Sequence, residues 1–263
     1  MRISTDEAGE QRSVGDRLLL ILDTVAGAPG EIGLSELARQ TGLKKATVHR
    51  LATDLVAHRM LERGGYGYRL GLHLFELGQH VPASRRLRAT ALPHMSDLLI
   101  ATGEMVQLGV LDGAEIVYVE KLTGRHSIPA PSAVGSRLPA YCTGLGKAML
   151  AFSEDSAVER VLAAPMPART GTTITDPARF RRELDRIRET GVAYDREEGT
   201  RGIVCVASAI VVESYVGRDG NRAVAGLSIT GPAQRLQPVR LEAAVRTAAL
   251  AISRSLGFPS LAR

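Results

Sequence analysis

The chain has 263 residues, of which 44% are hydrophobic and 23% charged, and its formal net charge is +5 at pH 7. This length exceeds the usual size of one domain, so we expect a small module beside a larger one. No run approaches the roughly 18 to 20 apolar residues that cross a bilayer, and residues 1–12 lack the apolar core of a signal peptide. We therefore expect a cytoplasmic protein without a membrane partner, with tails at 1–12 and 259–263.

The first eighty residues predict a head of three short helices. Residues 14–25 form a strongly apolar helix that ends before Gly27, and residues 34–58 predict two amphipathic helices joined at Gly42. Ser35 is expected to cap the first of these two helices, because its hydroxyl can accept from free amides of the first turn. The buried face of the second is predicted to hold Val48, Leu51 and Leu55. This pattern is typical of a helix-turn-helix.

The free face of the second helix is basic. Between Arg39 and Leu72 seven basic residues stand against two acids, a local charge of 7 − 2 = +5. Cations bind phosphates and polar side chains read base edges, so double-stranded DNA is the expected partner. The ordinary alternative is a helical hairpin that never meets DNA. The candidate DNA-binding residues of these helices are Ser35, Lys44, Lys45, Thr47, His49, Arg50 and Thr53.

A hairpin is predicted directly after the second helix. Residues 61–63 and 66–70 can form strands around Gly64 and Gly65, which would make the head, residues 13–70, a winged helix-turn-helix domain. Arg63, Tyr66 and Arg69 are candidates to lie along a phosphate backbone or to reach the minor groove. The alternative for these three side chains is a solvated hairpin surface.

A linker helix is predicted at 71–83. It places Leu72, Phe75 and Leu77 at near-helical spacing, and Pro82 stops it. Such an apolar helix needs cover from its own domain or from the same helix of a second subunit, so the pattern favours a homodimer.

The second domain, predicted at 84–258, mixes helices with antiparallel strands. Its first helix, 84–103, carries Pro93, which should kink the helix or mark its start. A hairpin is expected across residues 112–113, followed by a long irregular loop at 123–141. The remaining predicted helices are 145–153, 156–163, 177–190 and 239–256, and the remaining strands are 192–195, 204–212 and 223–229.

Five segments then carry a resemblance to one known family. The segments TGLKKATVHRL, GYGYRLG, CTGLGKAMLA, DREEGTRGIVCVAS and LSITGP occur in this order along the chain, which resembles the IclR family of bacterial transcription regulators from about Val14 to Leu256. The resemblance implies an α+β two-domain fold: an N-terminal winged helix-turn-helix, a linker helix and a C-terminal GAF-like α/β effector-binding domain. The sequence departs from the family's pattern at Lys44 and Ala46, where the family often has proline and serine. The operator sequence that this protein binds therefore cannot be taken from the family.

The resemblance also implies a small organic effector, usually an acid or an aromatic metabolite, and association as homodimers and often homotetramers. The family's pocket corresponds here to Cys142 to Gly146, Asp195, Cys205, Ser228 and Thr230.

Physical arguments agree with such a pocket. A helix that begins near Gly144 and Leu145 directs free amides toward a carboxylate. Ser228 and Thr230 alternate along a strand, so their hydroxyls share one side. Asp195 would repel an anion unless it is protonated or binds a hydroxyl or a backbone amide. The candidate effector-binding residues are Ile128, Ala130, Leu138, Cys142, Gly144, Leu145, Asp195, Cys205, Ser228 and Thr230.

The sequence therefore predicts a sequence-specific transcription regulator, repressor or activator, with no enzymatic activity. Two other classes stay open: a thiol-dependent enzyme that uses Cys142 or Cys205 activated by His126, and a ligand sensor that acts only through protein partners. The cysteines have no metal-ligand spacing, and neither a metal nor a cofactor is expected. The arginine run at 179–188 is interleaved with acids, which favours a solvated helix face.

Overall fold

The computed structural model describes residues 13–218 and 221–257, without the side chains of 82–84, 214–218 and 221. The chain divides into two compact units, Met1–Pro82 and Ala83–Arg263. The predicted tails, 1–12 and 259–263, lie outside the described residues. Within the described residues no helix is long and apolar enough to cross a membrane.

The first unit has the predicted three-helix head. Ser13 caps the first helix, because its Oγ accepts from the Asp16 amide at 3.1 Å. The core includes Ile21, Leu37 and Leu51, all at most 1% exposed, so the apolar faces of the three helices meet. The elements are α1 (Val14–Ala26), α2 (Leu34–Thr41), α3 (Lys45–Ala57), β1 (Leu61–Arg63), β2 (Tyr68–Leu70) and α4 (Leu72–Gln79).

The turn between α2 and α3 has the predicted glycine geometry, whereas the predicted cap is wrong. Gly42 ends α2 at φ +68°, in the left-handed region that favours glycine. The capping position of α2 is Gly33, with no side-chain hydrogen bond, and the helix begins at Leu34. Ser35 lies inside the first turn and is exposed, because the helix is capped two residues earlier than the prediction required.

The hairpin pairs Leu61 with Leu70 and Arg63 with Tyr68, so its second strand is shorter than predicted. Residues 64–67 form the loop instead of a two-glycine turn, and Tyr66 lies in that loop, 93% exposed. The strand begins at Tyr68 because this residue also pairs with Ile32, with both backbone hydrogen bonds formed at 2.9 and 3.0 Å.

The linker prediction corresponds to two helices. After α4 a second helix, α5 (Pro82–Thr102), begins at the proline that was expected to end the first, as proline is tolerated in a first helical turn. Pro93 lies inside α5, so the expectation that it marks the start of this helix is wrong. Leu72, Phe75 and Leu77 of α4 stay 64%, 62% and 46% exposed.

The second unit is built on one six-stranded sheet in which every neighbouring pair is antiparallel. The strand order is β5-β4-β3-β8-β7-β6, so β5 and β6 are the edges. The hairpin predicted across 112–113 joins β3 to β4, with Asp112 opposite Glu115. The strands are β3 (Met105–Asp112), β4 (Glu115–Leu122), β5 (Arg137–Pro139), β6 (Ala193–Arg196), β7 (Ile203–Arg218) and β8 (Asn221–Pro232).

Helices cover both faces of this sheet. On one face α5 packs with the last helix through residues such as Met95 and Ile252, and on the other the three middle helices pack through Met149, Val161 and Phe180. Side chains alternate along β7 between the two cores. Val206 packs in the core with α5 and the last helix, and Cys205 packs in the core with the three middle helices. The helices are α6 (Gly144–Ala151), α7 (Asp155–Ala163), α8 (Pro177–Thr190) and α9 (Glu242–Gly257).

The segment 123–141 is less irregular than predicted. It contains β5, whose Arg137 pairs with Val117 of β4, and it leads into a short 3-10 helix at Ala140–Cys142. The pairing lets this proline-containing strand occupy an edge, where a missing amide is tolerated. A second 3-10 helix, Pro238–Leu241, precedes α9, so the predicted last helix starts later.

Candidate functional site

The head presents a basic surface on α3. Lys44, at the capping position of the helix, is exposed, as are Lys45, His49, Arg50 and Thr53, whereas Thr47 is half-buried. Thr53 donates its hydroxyl to the His49 carbonyl at 2.8 Å, so only its lone pairs remain for a ligand. The exposed face therefore offers cations more than hydroxyl donors.

Ion pairing divides the seven basic residues between Arg39 and Leu72 into two groups. Arg39, Arg59 and Arg69 pair with Glu36, Glu76 and Glu62, respectively. Among the residues that the structure describes, no carboxylate pairs with Lys44, Lys45, Arg50 or Arg63. These four cations keep their charge available for a polyanion.

The hairpin adds Arg63 to the surface of α3. The Arg63 Nη2 lies 3.5 Å from Nε2 of His49 and 3.3 Å from the Tyr68 hydroxyl, so the strand and the helix present one continuous face. Arg69, also predicted for DNA, is held at 3.0 Å by Glu62 across the hairpin. At the tip, the Tyr66 amide donates to Glu31 at 2.8 Å, which leaves the exposed ring free.

In the second unit, strand register brings distant polar residues to one cavity. Asp195 of β6 stands opposite Cys205 of β7, which stands opposite Thr230 of β8. Gln107 of β3 stands opposite Ser228 of β8. All five line a cavity on the face of the sheet covered by α6.

The buried side-chain amide of Gln107 orients two hydroxyl groups of this cavity. The Gln107 Oε1 accepts from the Thr230 hydroxyl at 2.9 Å and from the Ser228 hydroxyl at 3.5 Å, and its Nε2 donates to Ser132. Gln107, Ser228 and Thr230 are at most 5% exposed. The predicted alternation is present, since Ile229 packs in the opposite core. Both hydroxyls donate to Gln107, so toward a ligand they can act as acceptors.

The cavity is also positive at one end. Gly144 and Leu145 begin α6, and within the described residues no backbone carbonyl accepts from either amide. A Cβ at Gly144 would lie 2.8 Å from the Cys205 Sγ, so glycine keeps this approach open. Arg169 lines the rim, with its Nε 3.4 Å from the Gly199 carbonyl. Amides, one guanidinium and apolar walls together suit a small carboxylate.

Asp195 has the two features expected of an acid beside an anionic ligand: a carboxyl group that can be neutral and hydrogen bonds from backbone amides. Burial raises the pKa of its carboxyl to about 7, against the opposing effect of Lys147. Its Oδ1 accepts from the amides of Glu198 at 2.7 Å and Gly199 at 3.4 Å. The residue therefore holds the turn after β6 and can be neutral beside an anion.

The thiols are not set up as nucleophiles. Burial raises the pKa of both Cys142 and Cys205 to about 12, so the thiolate is disfavoured at neutral pH. His126 does not line the cavity; its amide donates to the Gly103 carbonyl in the turn before β3. His126, the base named in the enzyme alternative, is therefore not among the residues that line the cavity with the two thiols.

Nine of the ten residues predicted for the effector line this cavity, and Ile128 does not. Ile128 follows a turn at 124–127 that is tied to Gly103, which holds it away from the cavity. Sequence reasoning missed Gln107, Tyr118 and Arg169. The polar side chain of Gln107 inside an apolar strand was a usable signal; Arg169, in a loop, had none.

Two family models match the chain. One is described as Bacterial transcriptional regulator IclR C-terminal and matches residues 79–254, and the other as IclR helix-turn-helix domain and matches residues 16–65. The chain belongs to the IclR family.

Relatives in the IclR family match over nearly the whole chain. The HTH-type transcriptional regulator XynR of Escherichia coli is 32% identical, over 93% of this chain and 97% of its own length. The Transcriptional repressor IclR of the same species is 30% identical, over 91% and 87%. This member of the IclR family is accordingly a DNA-binding transcription regulator.

Solved IclR-family structures share the fold. The IclR of Thermotoga maritima is 33% identical with a TM-score of 0.75, covering 92% of this chain and 98% of its own. An IclR homolog from Microbacterium hydrocarbonoxydans, complexed with 4-hydroxybenzoate, is 29% identical with a TM-score of 0.83, covering 93% and 99%. The two-domain arrangement of helix-turn-helix head and α/β domain is therefore that of the family.

Proposed function

We propose that a small organic acid or aromatic effector, bound in the cavity of the second unit, controls the affinity of the head for operator DNA. The observation that carries this proposal is the row of Asp195, Cys205 and Thr230 across three strands, beside the free amides of α6. Such a site orients a carboxylate at one end and an apolar body at the other. The 4-hydroxybenzoate bound by the Microbacterium homolog has this chemistry.

The proposed DNA-contacting face comprises the four unpaired cations of α3 and the hairpin, with His49, Thr53 and Tyr66 beside them. A homodimer would present two such faces to a roughly palindromic operator. The exposed apolar side chains of α4, Leu72, Phe75 and Leu77, support a second subunit as their cover. We further propose that such dimers pair into tetramers. An effector that binds one spacing of the heads more tightly shifts the population toward it.

The test of DNA binding uses fluorescence anisotropy of the full chain. DNA from upstream of its own gene is compared with random DNA of the same length across a salt series. We expect the upstream DNA to bind more tightly, with affinity falling steeply as salt rises. If fragments selected across the genome also bind no better than random DNA, the regulator assignment fails, and a sensor acting through protein partners takes its place.

The effector site predicts a dependence on pH, measured with 4-hydroxybenzoate as the probe. Because the pKa of Asp195 is about 7, its carboxyl is mainly neutral at pH 6 and charged at pH 8. The charged form repels the probe's carboxylate, so affinity should fall about tenfold over this interval. The raised pKa values keep Cys142, Cys205 and Tyr118 neutral over the same interval.

Asp195→Asn is the control for this titration. The amide oxygen can still accept from the turn after β6, but the side chain cannot ionise. We expect the variant to bind the probe with an affinity that hardly changes between pH 6 and pH 8. An unchanged pH dependence in the variant would assign the titration to another group and contradict the role of Asp195.

A further inference from the structure

A second concavity of the larger unit lies beside edge strand β6 and is rich in arginine. Arg179, Arg182 and Arg186 stand three and four residues apart, so they share one face of α8. Arg196, at the end of β6, lines the same cleft, and the loop at 171–172 forms its rim. The cleft therefore collects four guanidinium groups from two elements.

The arginines that face this cleft differ from those on the rest of α8. Arg181 pairs with Glu159 at 2.7 Å, and Arg188 pairs with Asp185. Arg179 and Arg182 have no carboxylate partner in the part of the chain that the structure describes. Arg179, Arg181 and Arg182 are exposed, as the solvated helix face predicted from the sequence requires, but Arg179 and Arg182 also line the cleft.

The remaining two guanidinium groups are held by one aromatic ring. The Cζ of Arg196 lies 4.3 Å and that of Arg186 5.5 Å from the centroid of the buried Tyr194 ring. Arg186 also pairs with Glu183 at 2.9 Å. Contact with the ring already restrains both arginine side chains. A ligand that binds them therefore causes little further loss of side-chain entropy.

Positive charge exceeds negative charge around the cleft. Among the residues that line the cleft, four arginines stand against two acids, Glu183 and Glu198, which leaves 4 − 2 = +2. The imbalance favours an anionic occupant.

One buried acceptor in the cleft lacks a donor. Glu198 is 4% exposed, and its Oε1 lies 2.5 Å from the Lys147 Nζ. Its Oε2 has no hydrogen-bond partner, and no other side-chain nitrogen or oxygen buried within the described residues is in that state. A buried acceptor without a donor is costly, so an occupant that brings a hydroxyl would be favoured here.

We propose that this cleft binds a small phosphate monoester that carries a free hydroxyl. Arg179, Arg182 and Arg196 bind the phosphate oxygens, since guanidinium groups suit the geometry and charge of a phosphate. The ligand hydroxyl donates to the Glu198 Oε2. This site is distinct from the effector cavity, and it assigns a role to arginines that DNA binding by the head does not use.

Isothermal titration calorimetry on the full chain tests the proposal with two probes, 2-hydroxyethyl phosphate and ethyl phosphate, which differ by one hydroxyl. We expect both to bind, and the hydroxylated ester to bind more tightly. Arg182→Gln should weaken both affinities about tenfold, because it removes a charge-assisted contact. Arg181→Gln, one residue away and paired with Glu159, should change them about twofold at most.

Three outcomes would overturn the proposal. If neither ester gives a heat of binding at millimolar concentration, the site does not exist. If Arg182→Gln and Arg181→Gln lose affinity equally, the binding is only unspecific attraction to positive charge. Equal affinity for the two esters would remove the role of Glu198. Circular dichroism melting of both variants checks the fold, and operator binding by Arg182→Gln shows whether the cleft serves nucleic acid instead.

Discussion

Replacing Arg50 with alanine is expected to weaken operator binding by about tenfold to a hundredfold, the usual cost of losing one arginine that contacts a base or a phosphate. Arg50 is exposed on α3 and has no ion pair among the described residues, so its free guanidinium is available to DNA. Probe binding in the effector cavity should stay unchanged, because that cavity lies in the other unit.

The matched control for Arg50→Ala is Arg59→Ala. Both residues are exposed arginines of the head, but Arg59 pairs with Glu76 of α4 at 3.3 Å. Fluorescence anisotropy with operator and random DNA should show about twofold weakening at most for this control. Equal losses in the two variants would mean that only the net charge of the head matters, and a parallel loss of probe binding would indicate misfolding.

Replacing Lys147 with methionine is expected to lower the free energy of unfolding by about 3 to 5 kcal/mol. The ammonium group is fully buried, 2.5 Å from the Glu198 Oε1 and 3.7 Å from the Glu183 Oε1. Methionine keeps an unbranched chain of similar length, so packing changes little. The loss comes from the Glu198 carboxylate, which would remain buried without its hydrogen-bonded ammonium group while its Oε2 already lacks a donor.

Urea unfolding followed by circular dichroism measures this effect, and two further variants define it. Lys147→Met combined with Glu198→Gln should recover part of the lost stability, because no uncompensated charge remains. Arg181→Met, which breaks the exposed pair with Glu159, should cost less than about 1 kcal/mol. If Lys147→Met also lowers the free energy of unfolding by less than about 1 kcal/mol, the buried pair does not stabilise the fold as proposed. If the double variant is less stable than Lys147→Met alone, the loss of stability is not electrostatic in origin.

Much of the fold follows from local pattern. Residues 14–58 predict α1, α2 and α3 because apolar side chains recur at helical spacing and Gly42 allows the left-handed turn. The β3–β4 hairpin follows likewise from alternation on both sides of Gly113. Local pattern failed where pairing with a distant segment decided the conformation. Tyr68 rather than Tyr66 begins β2 because it also pairs with Ile32, and the long loop after β4 gives rise to β5.

The candidate sites show the same division. Hydrophobic period, turn residues and charge runs depend on neighbours in the sequence, so the chain by itself determined a winged helix-turn-helix head and a separate α/β unit. Nine of the nineteen residues that line the cavity were predicted, most of them from the family resemblance. Burial and ion pairing depend on segments brought together by folding. Only the tertiary structure decided that Gln107 orders Ser228 and Thr230, that Ile128 lies elsewhere, and which arginines keep a free charge. It likewise buried Lys147, a residue type that is normally exposed, against Glu198, 51 residues later in the chain.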